Sequence, residues 1–373
     1  MTFPVFKLEE YFTHYEFSAP YLLCCSDAQT LSVSELVALA DDECRDKWER
    51  LSLGYTEVSG SPSLRQDIAA RYHGLRAENI VCFAGAEEGI FTVFSSLLRK
   101  GDHVIVITPC YQSLRDIPRT LGCDVTSIDL LEEEKWQVDV VKIKHHLRDN
   151  TRLVIINTPH NPTGQMMDQE SLKTLINMLR THGTYLFSDE VYFHLGPSDT
   201  QWSSQVAEMY ERGISLNVMS KAYGLAGLRI GWIATQDKEI LQKCVYFKHY
   251  TTICNAAPSE ILAQIALRAH KTILQRNNHI IDKNLELFEA FLEKYKNLFS
   301  WIKPKGSCTG FVHYYGHESV DDFAKRLVQK NGVLLLPGSI YDAGDRYFRV
   351  GFGRKNFSDG LSRLENFLAE GGR

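Results

Sequence analysis

The sequence has no run of about 18 apolar residues, so nothing in it reads as a membrane-spanning helix. Its opening, Met-Thr-Phe-Pro-Val-Phe-Lys-Leu-Glu-Glu, puts acids where a secretory signal needs uninterrupted apolar residues. None of the nine cysteines forms a C-x-x-C pair, and Cys24 and Cys25 are adjacent, which suits neither a structural zinc site nor an ordinary disulfide. No metal is expected, and free thiols fit a reducing, cytoplasmic location. A long basic run is missing as well. With a formal net charge of -5 the chain offers a phosphate backbone no landing surface, so no nucleic-acid partner is expected. Internal repeats and low-complexity stretches are absent, which leaves an ordinary globular chain that handles small molecules.

What is present is enough length for two domains. At 373 residues the chain exceeds the roughly 150 residues of one typical domain. Short runs rich in Val, Ile and Leu recur at 80–83, 104–107, 153–156, 185–187 and 216–219, and their near-continuous hydrophobicity predicts strands buried on both faces. Amphipathic segments at 87–99 and 169–180 lie between them. The alternation predicts a mostly parallel, open α/β sheet flanked by helices, filling residues 45–254. After Cys254 the pattern changes to a long helix over 258–295, then a strand candidate at 310–315. Residues 1–44 and 255–373 are expected to form a smaller α+β domain.

In such a sheet the reactive groups sit beyond the carboxyl ends of the strands, and four polar clusters fall there. Gly85-Ala86-Glu87-Glu88-Gly89 opens a helix whose free N–H groups and dipole can receive a phosphate. Asn157-Thr158-Pro159-His160-Asn161-Pro162-Thr163-Gly164 is a rigid loop that can present the Asn161 amide, although a simple turn uses the same residues. Ser188-Asp189-Glu190-Val191-Tyr192 brings a carboxylate and a phenol to the sheet edge, where a helix cap or core tyrosine would also be ordinary. Ser220-Lys221 ends an apolar strand and is followed by Gly227-Leu228-Arg229-Ile230-Gly231. A lysine at that position is, by itself, usually a solvated surface residue.

In this order and spacing, with Asp189 28 residues after Asn161 and Lys221 32 residues after Asp189, the motifs resemble the class I/II, fold-type I aminotransferases that use pyridoxal 5'-phosphate. The resemblance covers residues 55–354. It implies a large α/β domain with a mostly parallel seven-stranded sheet plus a smaller α+β domain. Lys221 is then the lysine that carries the cofactor as a Schiff base and shuttles the substrate proton. Asp189 pairs with the pyridine nitrogen, Asn161 and Tyr192 bond the phenolic oxygen, and Tyr111 stacks on the ring. Gly85, the amides of Ala86 and Glu87, Ser220 and Arg229 hold the phosphate, with the carboxylates of Glu87 and Glu88 turned outward. Arg349, in Tyr347-Phe348-Arg349-Val350-Gly351, clamps the substrate α-carboxylate, with Asn161 beside it. Tyr55 resembles the tyrosine that reaches the neighbouring subunit's cofactor phosphate, which implies a homodimer with shared sites acting on amino acids and 2-oxo acids.

One position departs from the family pattern. Val218 stands where a phosphate-binding serine or threonine is common, which puts one phosphate bond in doubt. The fold also does not choose the reaction, because the same carbanion can be reprotonated or can expel a β-substituent. Amino-group transfer is the leading expectation. Carbon-sulfur lyase or cyclising synthase chemistry is the alternative, and the N-terminal Leu8-Glu9-Glu10-Tyr11-Phe12 resembles capreomycidine synthase and its relatives. A non-catalytic regulatory module is disfavoured by the complete residue set. A nicotinamide dehydrogenase is disfavoured because Gly351-Phe352-Gly353 lacks the third glycine of a dinucleotide loop.

Overall fold

The structure is a computed structural model and describes residues 2–371. Helix α1 (Lys7–Tyr15) and the two-residue strand β1 (Tyr21–Leu22) come first. The large sheet follows, made of β2 (Ile80–Phe83), β3 (His103–Thr108), β4 (Asp124–Asp129), β5 (Thr151–Asn157), β6 (Tyr185–Asp189), β7 (Gly213–Val218) and β8 (Gly231–Thr235). Its order is β2-β8-β7-β6-β5-β3-β4, with β8 antiparallel to both neighbours and the remaining pairs parallel. The mostly parallel seven-stranded sheet expected from the sequence is therefore present.

Alternation along the strands explains the double coverage. Val104, Val106, Leu153, Ile155 and Phe187 pack into one apolar cluster, while Ile105, Ile107, Val154, Ile156 and Leu186 pack into another. Each face needs its own helical layer, so both faces must be apolar and the strand reads as a continuous hydrophobic run. Two strands carry no such run. β4 lies at the sheet edge and is half-exposed, with Asp124, Thr126, Ser127 and Asp129 among its six residues. β8 begins at Gly231, where a Cβ would run into the backbone of Gly85 and Ala86, so glycine permits the close approach of this strand to the turn after β2.

The C-terminal part builds a four-stranded sheet from β9 (Phe299–Trp301), β10 (Thr309–Tyr314), β12 (Leu336–Pro337) and β13 (Tyr347–Gly351), in the order β12-β13-β10-β9. Strand β11 (Val333–Leu334) pairs in parallel with β1, which ties the N-terminal segment to this part of the chain. The single long helix expected over 258–295 is instead two helices, Ala257–Arg268 and His270–Lys294. Ala269 leaves helical geometry between them, with neither proline nor glycine to mark the break in the sequence. Among the described residues no helix is long and apolar enough to cross a membrane.

Candidate active site

Five turns that leave the carboxyl ends of β2, β3, β5, β6 and β7 converge on one cavity of about 390 Å³. Ala86, Glu87, Tyr111, Asn161, Asp189, Tyr192, Ser220, Lys221, Arg229 and Arg349 all line it. Residues far apart in the sequence are thus brought together by the strand order. Gly85 lies just beneath the wall. Its φ of +95° favours glycine, and the Arg229 guanidinium packs where a Cβ would stand. Gly85 also stands as N-cap of the helix Ala86–Leu97 without a side-chain cap, so the first N–H groups of that helix face the cavity uncapped. Val218 lines the cavity as well and brings no hydroxyl. Tyr55 stands apart: it is 92% exposed and lines no part of this chain's cavity.

Asp189 ends β6 almost fully buried, at 5% exposure, and accepts one hydrogen bond, from the Val191 amide at 3.3 Å. Burial foremost, helped by the negative charge of Glu87, pushes its carboxyl up to about 7 against the opposing pull of the Val191 amide and Lys221. Lys221 follows β7, and its Nζ lies 3.3 Å from Ser26 Oγ. Asn161 is placed by Asn157, the first residue of the same loop, to which the sequence assigned no role. Asn157 Oδ1 accepts the Asn161 amide at 2.7 Å, while its Nδ2 donates to the carbonyls of Pro159 at 3.0 Å and Asp189 at 2.8 Å, locking the loop onto β6.

Arg349 sits in the middle of β13, opposite Phe311 on β10 and Leu336 on β12, and is completely buried. Its Nε and Nη2 donate to the Cys24 carbonyl at 3.0 and 2.8 Å, and Nη1 donates to Asn161 Oδ1 at 3.0 Å and to the Tyr341 hydroxyl. Every partner is neutral. A guanidinium buried without a carboxylate is expensive unless an anionic ligand completes it. Tyr341, which no sequence motif marks, also donates to Asn161 Oδ1 at 3.0 Å. With Oδ1 doubly occupied, the Asn161 amide must turn its Nδ2 away, and that nitrogen has no acceptor among the described residues. Tyr341→Phe is expected to raise KM for the amino acid about fivefold and to change kcat by less than about threefold, since one neutral hydrogen bond contributes about 1 kcal/mol. Steady-state kinetics check this, with thermal melting to show that the fold is kept.

The carboxylates of the first cluster are not turned out to solvent as expected. Glu88 folds back to accept the Ala84 amide at 2.6 Å and the Thr252 hydroxyl at 2.7 Å. Glu87 turns to the Ser113 hydroxyl, and its other oxygen is buried without a partner. Burial above all raises its carboxyl from the ordinary range. Burial favours the neutral form of Glu87, which lessens the repulsion of a phosphate that outward carboxylates were meant to avoid.

The cavity fits pyridoxal phosphate on its own chemistry. It has a buried carboxylate without a cation, an amide donor without an acceptor, uncapped helix N–H groups beside an arginine, and a lysine between them. The Asp189 pKa gives a direct test. Its folded value lies above the unfolded value near 3.9, so the stability it supports is fully present below about pH 4 and is lost as pH rises through about 7. In cofactor-stripped protein, Asp189→Asn is expected to gain on the wild type between pH 5 and 8, by on the order of 2 kcal/mol. Thermal melts across that range measure it, and the same variant should bind the cofactor more weakly.

Comparison with known proteins agrees with this geometry. The family model described as aminotransferase class I and II matches residues 26–358. A capreomycidine synthase from Streptomyces vinaceus is 26% identical over 83% of this chain and 79% of its own length. An aspartate aminotransferase from Pyrococcus horikoshii is 28% identical over 84% of this chain and 83% of its own. Among solved structures, a pyridoxal-phosphate-dependent aminotransferase from Streptococcus suis superposes with a TM-score of 0.92 at 34% identity, covering 99% of both chains. A pyridoxal-phosphate-dependent cyclase, OrfR, gives 0.90 at 25% identity over 99% of this chain and 98% of that one. With the family model spanning most of its length, and with enzymes of that family using pyridoxal phosphate, this chain belongs to the class I and II aminotransferases.

Proposed function

We propose that this enzyme transfers the amino group of an α-amino acid to a 2-oxo acid, with Lys221 as the lysine that carries pyridoxal phosphate and moves the proton. The observation that supports it most is Arg349, wholly buried with only neutral partners and opening on the same cavity as Lys221 and Asp189. An α-carboxylate pairs with that guanidinium through the one N–H left free, on Nη2, beside the Asn161 amide, and this sets the α-C–H bond toward Lys221. Bound pyridoxal phosphate supplies the electron sink that makes this proton removable. Lys221 Nζ is the base that would take the proton from the substrate α-carbon and hold it for return. Asp189, ionised against the cofactor's ring nitrogen, keeps that nitrogen protonated. Asn161 Nδ2 and the Tyr192 hydroxyl hold the phenolic oxygen. Arg229, Ser220, the turn at Gly85 and the amides of Ala86 and Glu87 hold the phosphate, without a hydroxyl from Val218. Tyr111 covers the ring.

The same reading assigns residues 45–254 to the cofactor-binding domain and residues 1–44 with 255–373 to the smaller domain, which carries Arg349 and α1. It makes the working unit a homodimer whose sites are completed by the partner's Tyr55. Leu53, Tyr55 and Tyr250 are all highly exposed, which supports a face that another copy covers. The nine unpaired cysteines support the cytoplasm as its compartment.

A second reading is cyclising or eliminating chemistry, favoured by the capreomycidine synthase and the cyclase OrfR, which resemble this chain over as much of its length as the aminotransferases do. Adding an amino acid without an acceptor decides between the two. Stoichiometric conversion of the cofactor to its amine form, with release of the 2-oxo acid, is the expected result. Catalytic turnover without an acceptor, with the original visible band restored, points to the second reading.

A further inference from the structure

The motif residues account for the cofactor and the α-carboxylate, and α1 supplies a further wall of the same cavity. Glu9, Phe12 and Glu16 recur at i, i+3 and i+7, which puts them on one helical face, and all three line the cavity. Glu16 closes the helix with its backbone still helical, so the face continues through it.

The cavity is rich in acid, and its acids are not all answered. Both carboxylate oxygens of Asp27 accept from Arg354 Nη2 at 2.9 Å. Glu87 is engaged by Ser113. The Glu9 carboxylate, at the solvent-exposed rim, accepts only the Tyr111 hydroxyl, at 3.2 Å, and the half-buried Glu16 has no side-chain hydrogen-bond partner among the described residues. No lysine or arginine among those residues pairs with either. Burial, and then the charges of Asp27 and Glu9, raise the Glu16 carboxyl from its usual range against the pull of Arg354 and Lys221, neither of which comes within pairing distance of it. The cations of the lining, Lys221, Arg229 and Arg349, all have partners in the reading above. Two groups that are more than nine-tenths buried, Arg349 without an anion and Asn161 Nδ2 without an acceptor, face a ligand in this same space.

We propose that the substrate is an α-amino acid with a cationic side chain, whose guanidinium or ammonium group lies over Phe12 between Glu9 and Glu16. This rests on the aminotransferase reading and names its substrate class. With the α-carboxylate on Arg349 and the α-carbon at Lys221, the side chain is left to meet α1. There a cation gains two charge-assisted partners and an aromatic face. A carboxylate side chain, as on aspartate, meets unanswered negative charge and is rejected. Because α1 docks through Lys7 to Asp342 and through the Tyr11 hydroxyl to the Leu335 carbonyl at 2.7 Å, the acids are held in place rather than recruited by substrate.

The test uses holoenzyme reconstituted with pyridoxal phosphate and follows both the shift of its visible band and single-turnover rates. L-arginine, L-ornithine and L-lysine are compared with L-citrulline and L-norleucine, neutral counterparts of the two cation types, and with L-aspartate. At least one cationic amino acid is expected to bind about tenfold or more tightly than its neutral counterpart and than aspartate. Arginine ahead of ornithine and lysine assigns a guanidinium pocket, and the reverse an ammonium pocket. Glu16→Gln should lower the apparent affinity for that cation about tenfold or more and leave citrulline or norleucine within about threefold, and Glu9→Gln should act in the same direction. The wild-type ranking decides alone if neither variant folds. Neutral or acidic amino acids that match the best cation, on a holoenzyme that takes up cofactor normally, overturn this inference and leave the aminotransferase reading standing. A protein that takes up no cofactor overturns both.

Discussion

Lys221→Ala is expected to remove the visible absorption of the reconstituted protein and to lower amino-acid turnover by at least about 10⁴-fold, since it deletes both the cofactor's covalent anchor and the proton carrier. Its fold should survive. The Nζ makes a single protein contact, to Ser26 Oγ at 3.3 Å, and no buried network depends on it. Lys248 is the contrast. It is wholly buried and donates to the carbonyls of Val58 at 2.8 Å and Cys82 at 2.7 Å and to Asn255 Oδ1 at 3.1 Å, so its charge holds three chain segments together. An apolar environment lowers its pKa, with burial the main cause, yet nothing about its position lets it reach the cavity. Absorption spectra and melting curves of the Lys221 variant separate loss of the cofactor from loss of the fold.

The second large effect is expected at Arg349. Arg349→Lys keeps a positive charge but loses the planar fork that spans Cys24, Asn161 and Tyr341 while leaving one Nη2 N–H for a ligand. A lysine cannot span those partners and also meet the α-carboxylate, so kcat/KM should fall about 10²- to 10³-fold, mostly through KM, with the cofactor's spectrum nearly unchanged. The fork depends on a close approach between segments far apart in sequence. Gly351 lies two residues on, its amide donating to the Leu23 carbonyl at 2.7 Å, and a Cβ there would strike the Cys25 carbonyl. That approach is what delivers the Cys24 carbonyl to the guanidinium.

The cofactor end of the site was legible because it is written in short local motifs, each at the end of an apolar strand. Asn161, Asp189, Tyr192, Ser220, Lys221 and Arg229 all reach one cavity. The inner strands were legible for the same reason: β3, β5, β6 and β7 are buried almost throughout, and each carries a core of apolar residues. Strands β4 and β8 escaped notice, one because its edge position admits Asp, Thr and Ser, the other because it starts in a glycine turn. Residues whose importance comes from a tertiary meeting left no signal. Tyr341 lies in a short 3-10 turn 180 residues from the Asn161 it orients. Glu9 and Glu16 look like solvated acids on an amphipathic helix until α1 is seen to roof the cavity. The outward carboxylates expected at Glu87 and Glu88 failed because nearby hydroxyls on other elements, Ser113 and Thr252, draw them in.

The measurement that bears most directly on the central claim is borohydride reduction of the reconstituted protein, followed by peptide mass mapping. Reduction fixes the cofactor permanently to whichever lysine carries it. A phosphopyridoxyl group on Lys221, lost when substrate amino acid is added before the reductant, is the predicted result. A label on Lys248 or on a surface lysine, with Lys221 unmodified, would contradict the account.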